Sequence, residues 1–158
     1  MKVKYEDVSN YILKLLETES SSFVANSINR SAFNFDSEEL DNKLDELEVS
    51  FSEYLLRKID DLGFDDVSVY KKANIDRRLF SKIRSNTNYQ PSKTTAIALA
   101  IALELNLDET QKLLQKAGYY LTRSSRFDLI IMYFIEHENY DFNEINHILY
   151  YFDEKTLI

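Results

Sequence analysis

The run Ala96-Ile97-Ala98-Leu99-Ala100-Ile101-Ala102-Leu103 constrains this chain more than any other stretch, being apolar nearly all round with small and large residues interleaved. A helix without a polar face has to be covered on every side. The run is far shorter than the roughly 20 residues a membrane span requires, so its cover has to come from other helices. The expectation is a central, closely packed helix opened by Ser92 and running through Leu105, with the remaining segments wrapped around it.

Those segments read as helices too. Glycine and proline number only 2 and 1, so few turns with positive φ and few strand boundaries are available, which favours helices joined by short connections. The same scarcity excludes a glycine-rich phosphate loop. Tyr5, Val8, Ile12, Leu15 and Leu16 share one face of a helix over 5–17. From Ser37 a long helix carries Leu40, Leu44, Leu47, Phe51, Leu55, Ile59 and Leu62 and stops before Gly63. Further helices are expected from an Asp66 cap to about Ala73, from Asp76 to Ser85, from an Asp108/Gln111 capping pair to just before Gly118, from Ser125 to Glu138, and from Asp141, paired with Glu144, to about Tyr151. Asn74 supplies the left-handed residue of the turn between the Asp66 and Asp76 helices. No strand pattern or internal repeat is evident. The predicted fold is all-α, with an acidic helical region over 1–49 and a compact helical domain over 50–158.

The 158 residues contain no Cys, which removes disulfides and thiolate metal sites. Met1-Lys2-Val3-Lys4 runs directly into Tyr5-Glu6-Asp7, so no signal-peptide apolar run follows. A soluble, cytoplasmic protein of bacterial or phage origin is expected, with no membrane partner.

Charge is distributed unevenly. Residues 1–66 hold 7 Lys/Arg against 16 Asp/Glu, residues 67–126 hold 11 against 4, and residues 127–158 hold 1 against 7. Exposed charges more than about 8 Å apart are largely screened at physiological salt, so a basic segment can meet a polyanion although the whole chain carries −8. Turning the Asp76–Ser85 helix by about 100° per residue gathers Leu79, Phe80 and Ile83 in one arc. Arg77, Arg78, Ser81, Lys82, Arg84 and Ser85 cover the rest. An anchored apolar stripe backed by a basic and hydroxyl face suits a helix that enters a DNA groove: Arg pairs bidentately with guanine, and Lys and Ser reach base edges or phosphates. Lys71, Lys72 and Lys93, with Asn86, Asn88 and Tyr89, are candidates for the phosphate backbone.

The same residues carry a resemblance. Asp65 to Leu114 resembles the lambda-repressor-like (XRE-type) helix-turn-helix domain, with Val69, Ala73, Ile75, Phe80 and Ile83 at its core positions, Pro91-Ser92 opening the next helix, and Asn106-Leu107-Asp108-Glu109 at the hand-over to its last helix. A closer resemblance, over about Ser50 to Phe152, is to the C-terminal module of some bacterial macrodomain (ADP-ribose-binding) proteins, carried by NIDRRLFSKIRSN, YQPSKTTAIALAIALELNLDET, FDLIIMYFIE and DFNEIN. It leaves out residues 1–49 and includes no macrodomain, so no ADP-ribose chemistry is transferred. The helix-turn-helix pattern implies base contacts by Arg77, Arg78, Ser81 and Lys82. Two positions depart from it. Tyr70 stands where a small Ala lets the two helices cross closely, and Asp66 replaces a Gln that usually touches phosphate.

No nucleophile motif or apolar carboxylate pair points to catalysis. Glu144 and His147, one of two His with His137, have the spacing of half a carboxylate-bridged metal motif, but the remaining ligands are missing; Glu136, Glu138 and Asp141 read as solvated charges. No enzyme, metal or cofactor is expected. Tyr133, Phe134, Tyr140, Phe142, Tyr150, Tyr151 and Phe152 read as core, with interface as the alternative. The leading function is DNA binding by a homodimer, as a small transcriptional regulator or a phage- or defence-locus accessory protein. The dimer contact is expected from the Leu40–Leu62 stripe or the C-terminal aromatics. The alternative is a non-enzymatic adaptor or inhibitor that keeps the fold and docks a protein partner. A third reading is nucleic-acid mimicry by the acidic residues Glu38, Glu39, Asp41 and Asp45.

Overall fold

The computed structural model describes Asp41 and residues 48–157, and residues 48–158 cluster as one compact unit. Seven helices and no strand occur among the described residues: α1 (Phe51–Asp61), α2 (Asp66–Lys72), α3 (Arg77–Ser85), α4 (Lys93–Ala102), α5 (Leu107–Lys116), α6 (Arg126–Glu136) and α7 (Phe142–Tyr151). The protein is all-α there. The helix expected over 5–17, the Leu40–Leu47 half of the long stripe and the mimicry carboxylates other than Asp41 lie outside the described residues.

Helix α4 is the axis. Every residue from Ala96 to Leu103 is buried, and α2 and α5 lie against it. Helix α1 packs on α3 and α5, α5 passes contacts on to α6, and α6 pairs with α7. The alanines of α4 let its neighbours approach closely, while Ile97, Leu99 and Ile101 fill the space between them.

Helix starts are fixed by side chains. The helix expected to run unbroken from Ser37 to Leu62 instead opens at Phe51, because Ser50, in extended conformation, accepts from the Glu53 amide while the Glu53 carboxylate accepts from the Ser50 amide. The helix before Gly118 likewise opens at Leu107, through an Asn106/Glu109 box and not an Asp108/Gln111 pair. Gln111 is used elsewhere: its side-chain amide donates to the Leu121 carbonyl (2.9 Å) and accepts from the Leu121 amide (3.0 Å), imitating a backbone pairing. Asp141 caps α7 alone, because the Glu144 carboxylate is taken by the Asn139 amide.

Helix stops follow one pattern. Behind α1, α2, α4, α5, α6 and α7 a left-handed residue (Gly63, Asn74, Glu104, Gly118, Glu138, Asp153) sends its amide back to the last turn, and the amide of the next residue reaches the carbonyl one residue further back. Two of these six are glycine. The other four adopt φ of 52° to 56° with a side chain attached.

Asp128 is the buried acidic residue of the described core, 1% exposed. Its carboxylate accepts from the Thr122 amide at 2.8 Å and the Thr122 hydroxyl at 3.3 Å. The Lys93 ammonium lies 2.8 Å from each oxygen, with hydrogen-bond geometry to Oδ2 alone. The node ties the start of α4 to the α5–α6 connection and to α6.

Candidate nucleic-acid interface

Helix α2 is capped by Asp65, which accepts from the Ser68 amide (3.0 Å) and hydroxyl (2.5 Å); these bonds hold the Asp65 carboxyl below its usual range. Asn74, at φ 53°, turns the chain after α2, and the Ile75 amide returns to the Tyr70 carbonyl. Asp76 then caps α3 by accepting from the Arg78 amide at 2.5 Å. Four residues, 73–76, therefore separate two helices that pack on each other.

The inner face of α3 buries Phe80 and Ile83, with Leu79 packed alongside. Its carboxyl end is tied to α1, where the buried Ser52 hydroxyl donates to the Asn86 carbonyl at 3.1 Å. The outer face carries Arg77, Arg78, Ser81, Lys82 and Ser85, all exposed. Arg77, Arg78, Lys82 and the neighbouring Lys71 form no ion pair among the described residues. Asn88 is exposed in the connection to α4. That connection is itself held down, with the Gln90 side chain on the Ala117 carbonyl and the Tyr119 hydroxyl donating to the Pro91 carbonyl at 2.9 Å.

The other candidates are engaged. Arg84 points from the edge of α3 to Asp66 on α2, 2.6 Å away, and this contact raises the guanidinium pKa further. Asp66 thus meets a cation of its own chain. Lys72 bonds Glu104 at 2.5 Å across the surface, a contact worth at most about 1 kcal/mol and exchangeable for another anion. Lys93 is held inward by Asp128 and is not on the basic face. Tyr89 is half-buried against the core.

Tyr70 is accommodated without exclusion from the helix pair. It is half-buried, and its ring lies 5.8 Å from that of Phe80 at an interplanar angle of 47°. The aromatic pair fills the crossing that a small residue would leave narrow.

Two further surfaces were not legible in the sequence. Glu104, Glu109, Glu138 and Asp141, from separate helix ends, line an open acidic cleft of about 680 Å³ with Tyr140. Two of its carboxylates are neutralised by Lys72 and Lys58; burial, then Glu138, Glu104 and Glu109, hold the Tyr140 hydroxyl above its usual range. The second is an apolar groove of about 560 Å³ between α6 and α7. It is lined by Tyr133, Phe134 and Phe152 among others, and the C-terminal aromatics expected as one cluster differ in burial. Phe134 is buried, Tyr140 and Phe142 are half-buried, and Tyr133, Tyr150, Tyr151 and Phe152 are exposed. No group of three or more potential metal ligands occurs among the described residues, and no helix there is long and apolar enough to cross a membrane. Comparison with family models, with curated proteins and with solved structures finds no match.

Proposed function

We propose that the protein binds duplex DNA through α3, as a small transcriptional regulator or an accessory protein of a phage or bacterial defence locus, and that it does so as a dimer. The observation that carries this reading is the outer face of α3. Arg77, Arg78 and Lys82 stand exposed beside Ser81 and Ser85 without ion pairs among the described residues, on a helix braced from behind by Phe80, Ile83 and the Ser52 contact. Cations held ready on a rigid helix neutralise phosphates and reach guanine edges without first breaking internal pairs. Lys71 and Asn88 flank this face, and Lys72 and Arg84 join it by exchanging a surface carboxylate for a phosphate. A nine-residue helix reads few base pairs, and two copies on symmetric half-sites multiply the contacts.

The test is a salt titration of binding to random and to gene-upstream duplex. A log–log slope equivalent to about 4 or more phosphates is expected, lost in the Arg78→Ala/Lys82→Ala variant. Absence of binding at about 50 mM salt, where non-specific contacts are strong, refutes the reading. One observation favours a second function. Asp66, at the rim of the basic face, already satisfies Arg84 and stands where the helix-turn-helix pattern has a phosphate-contacting Gln, as suits a module that keeps the fold and docks a protein. Release of a protein partner by the same substitutions, with no DNA bound, identifies that case.

A further inference from the structure

The solvent-facing side of α6 is laid out symmetrically about its middle. Ile131, Phe134 and Ile135 turn inward and are buried. On the opposite arc stand Arg126, Leu129, Tyr133 and Glu136, at steps of three and four residues. Leu129 is 45% and Tyr133 57% exposed, large values for apolar side chains side by side on one ridge. Arg126 and Glu136 close the two ends with opposite charge, both exposed. The groove toward α7 runs alongside.

A second α6 laid antiparallel on this ridge finds a partner at each position. The two-fold axis falls at the level of Ile131, so Leu129 meets Tyr133 of the second copy, and Arg126 meets its Glu136, each twice by symmetry. A parallel arrangement would set Arg126 on Arg126 and Glu136 on Glu136. The self-complementarity is therefore specific to one direction and one register. Tyr133 is also ordered in advance: its ring lies 4.1 Å from that of His137, and His137 Nδ1 is 2.7 Å from the Tyr133 carbonyl oxygen, so little rotamer freedom is lost on contact. Arg126 has only loose neighbours, Glu154 at 3.9 Å and the Phe152 carbonyl at 3.4 Å. Its side chain is free to turn toward a partner. Glu136 forms no ion pair among the described residues.

We infer that α6 is the homodimer seam, pairing antiparallel with α6 of a second copy. The inference deepens the dimeric reading above by naming the surface, and leaves α2 and α3 outside the interface.

The experiment is sedimentation of the full chain without DNA, at physiological salt and micromolar concentration. A dimer is expected. Leu129→Asp/Tyr133→Asp is expected to sediment as a monomer with an unchanged helical spectrum, because both side chains are exposed. Arg126→Glu alone and Glu136→Arg alone each place like charges together twice and are expected to weaken association roughly tenfold or more. The double variant Arg126→Glu/Glu136→Arg exchanges the charges and is expected to recover most of that loss. A monomeric wild type, or a dimer indifferent to these substitutions, overturns the seam. Arg78→Ala/Lys82→Ala is expected to remain dimeric. A dimer that binds no DNA refutes the function proposed above and leaves the seam standing; a monomer that binds DNA does the reverse.

Discussion

Replacing Lys93 by Met is expected to destabilise the protein by about 3 kcal/mol, toward the low end of what breaking a buried pair costs. The estimate starts from an asymmetry in the node. The Lys93 side chain is 31% exposed and Asp128 1%. Removing the lysine leaves the carboxylate with the Thr122 amide and hydroxyl alone, in a place water does not reach. Removing the carboxylate by Asp128→Ala leaves a lysine that can turn to solvent and a Thr122 amide on an exposed residue, so this variant is expected to lose less, about 2 kcal/mol, near the range for hydrogen bonds to charged groups. Urea unfolding monitored by circular dichroism measures both, and the double variant gives the coupling, expected at about 1–2 kcal/mol. A Lys93→Met cost below about 1 kcal/mol, or an Asp128→Ala cost clearly exceeding it, refutes the assignment of Lys93 as an internal partner. Lys93 would then return to the candidates for phosphate contact.

Three further outcomes are expected. Glu138→Gly relieves a left-handed residue at φ 52°; that conformation costs a side chain about 1–2 kcal/mol, partly offset by the freer unfolded chain, so the denaturation midpoint rises by the equivalent of about 0.5–1 kcal/mol, and a fall contradicts the reading. The Lys58 ammonium, donating to Glu109 at 2.7 Å, holds the Glu109 carboxyl below its ordinary 4.5. With the folded pKa depressed, this stabilisation is complete above the unfolded value and is lost as pH falls through the folded one; as pH is lowered from about 7 through the ordinary carboxylate range, urea midpoints are therefore expected to fall less steeply in Lys58→Met. Ala98→Leu overfills the crossing of α4 with its neighbours, since Ala98 is fully buried, and is expected to cost about 1–3 kcal/mol by thermal melting; a neutral result means that the helices can part.

The elements were readable where local chemistry decides them. Ala96–Leu103 announced a buried helix, Asn74 a left-handed turn, and Ser92, Ser125 and Asp141 helix starts, all of which depend on side chains within a few residues. The Ser37–Leu62 stripe misled because its periodicity continues in phase across Ser50, while the Ser50/Glu53 box that opens α1 is a hydrogen-bond event periodicity does not register. Asp108/Gln111 has box spacing as well, but Asn106/Glu109, two residues earlier, forms it. On the candidate site, the helical wheel placed Arg77, Arg78, Ser81 and Lys82 outward without help from the fold. The engagement of Arg84, Lys72 and Lys93 depends on carboxylates 18, 32 and 35 residues away in the chain, and spacing along one helix carries no information about them. The same distance hid the acidic cleft and the sorting of the aromatics between core and surface.

The order in which the helices touch bears on how the chain assembles. Most packed pairs, α2 with α3, α4 with α5, α5 with α6 and α6 with α7, are consecutive, and such near-neighbour contacts close quickly. Three pairs are not consecutive, α1 with α3, α2 with α4 and α1 with α5, and helix α1 makes the farthest of them. Its principal partner, α5, lies beyond three intervening helices, and the Lys58–Glu109 bond spans 51 residues. Because its main contact closes the longest loop, α1 is expected to settle late and to open as one cooperative unit. Since Ser52 of that helix holds the end of α3, each opening frees the carboxyl end of the basic helix. Amide exchange at α1 and at Arg84–Asn86 is therefore expected to share one opening rate, slower than that of the surface loops and faster than that of α4.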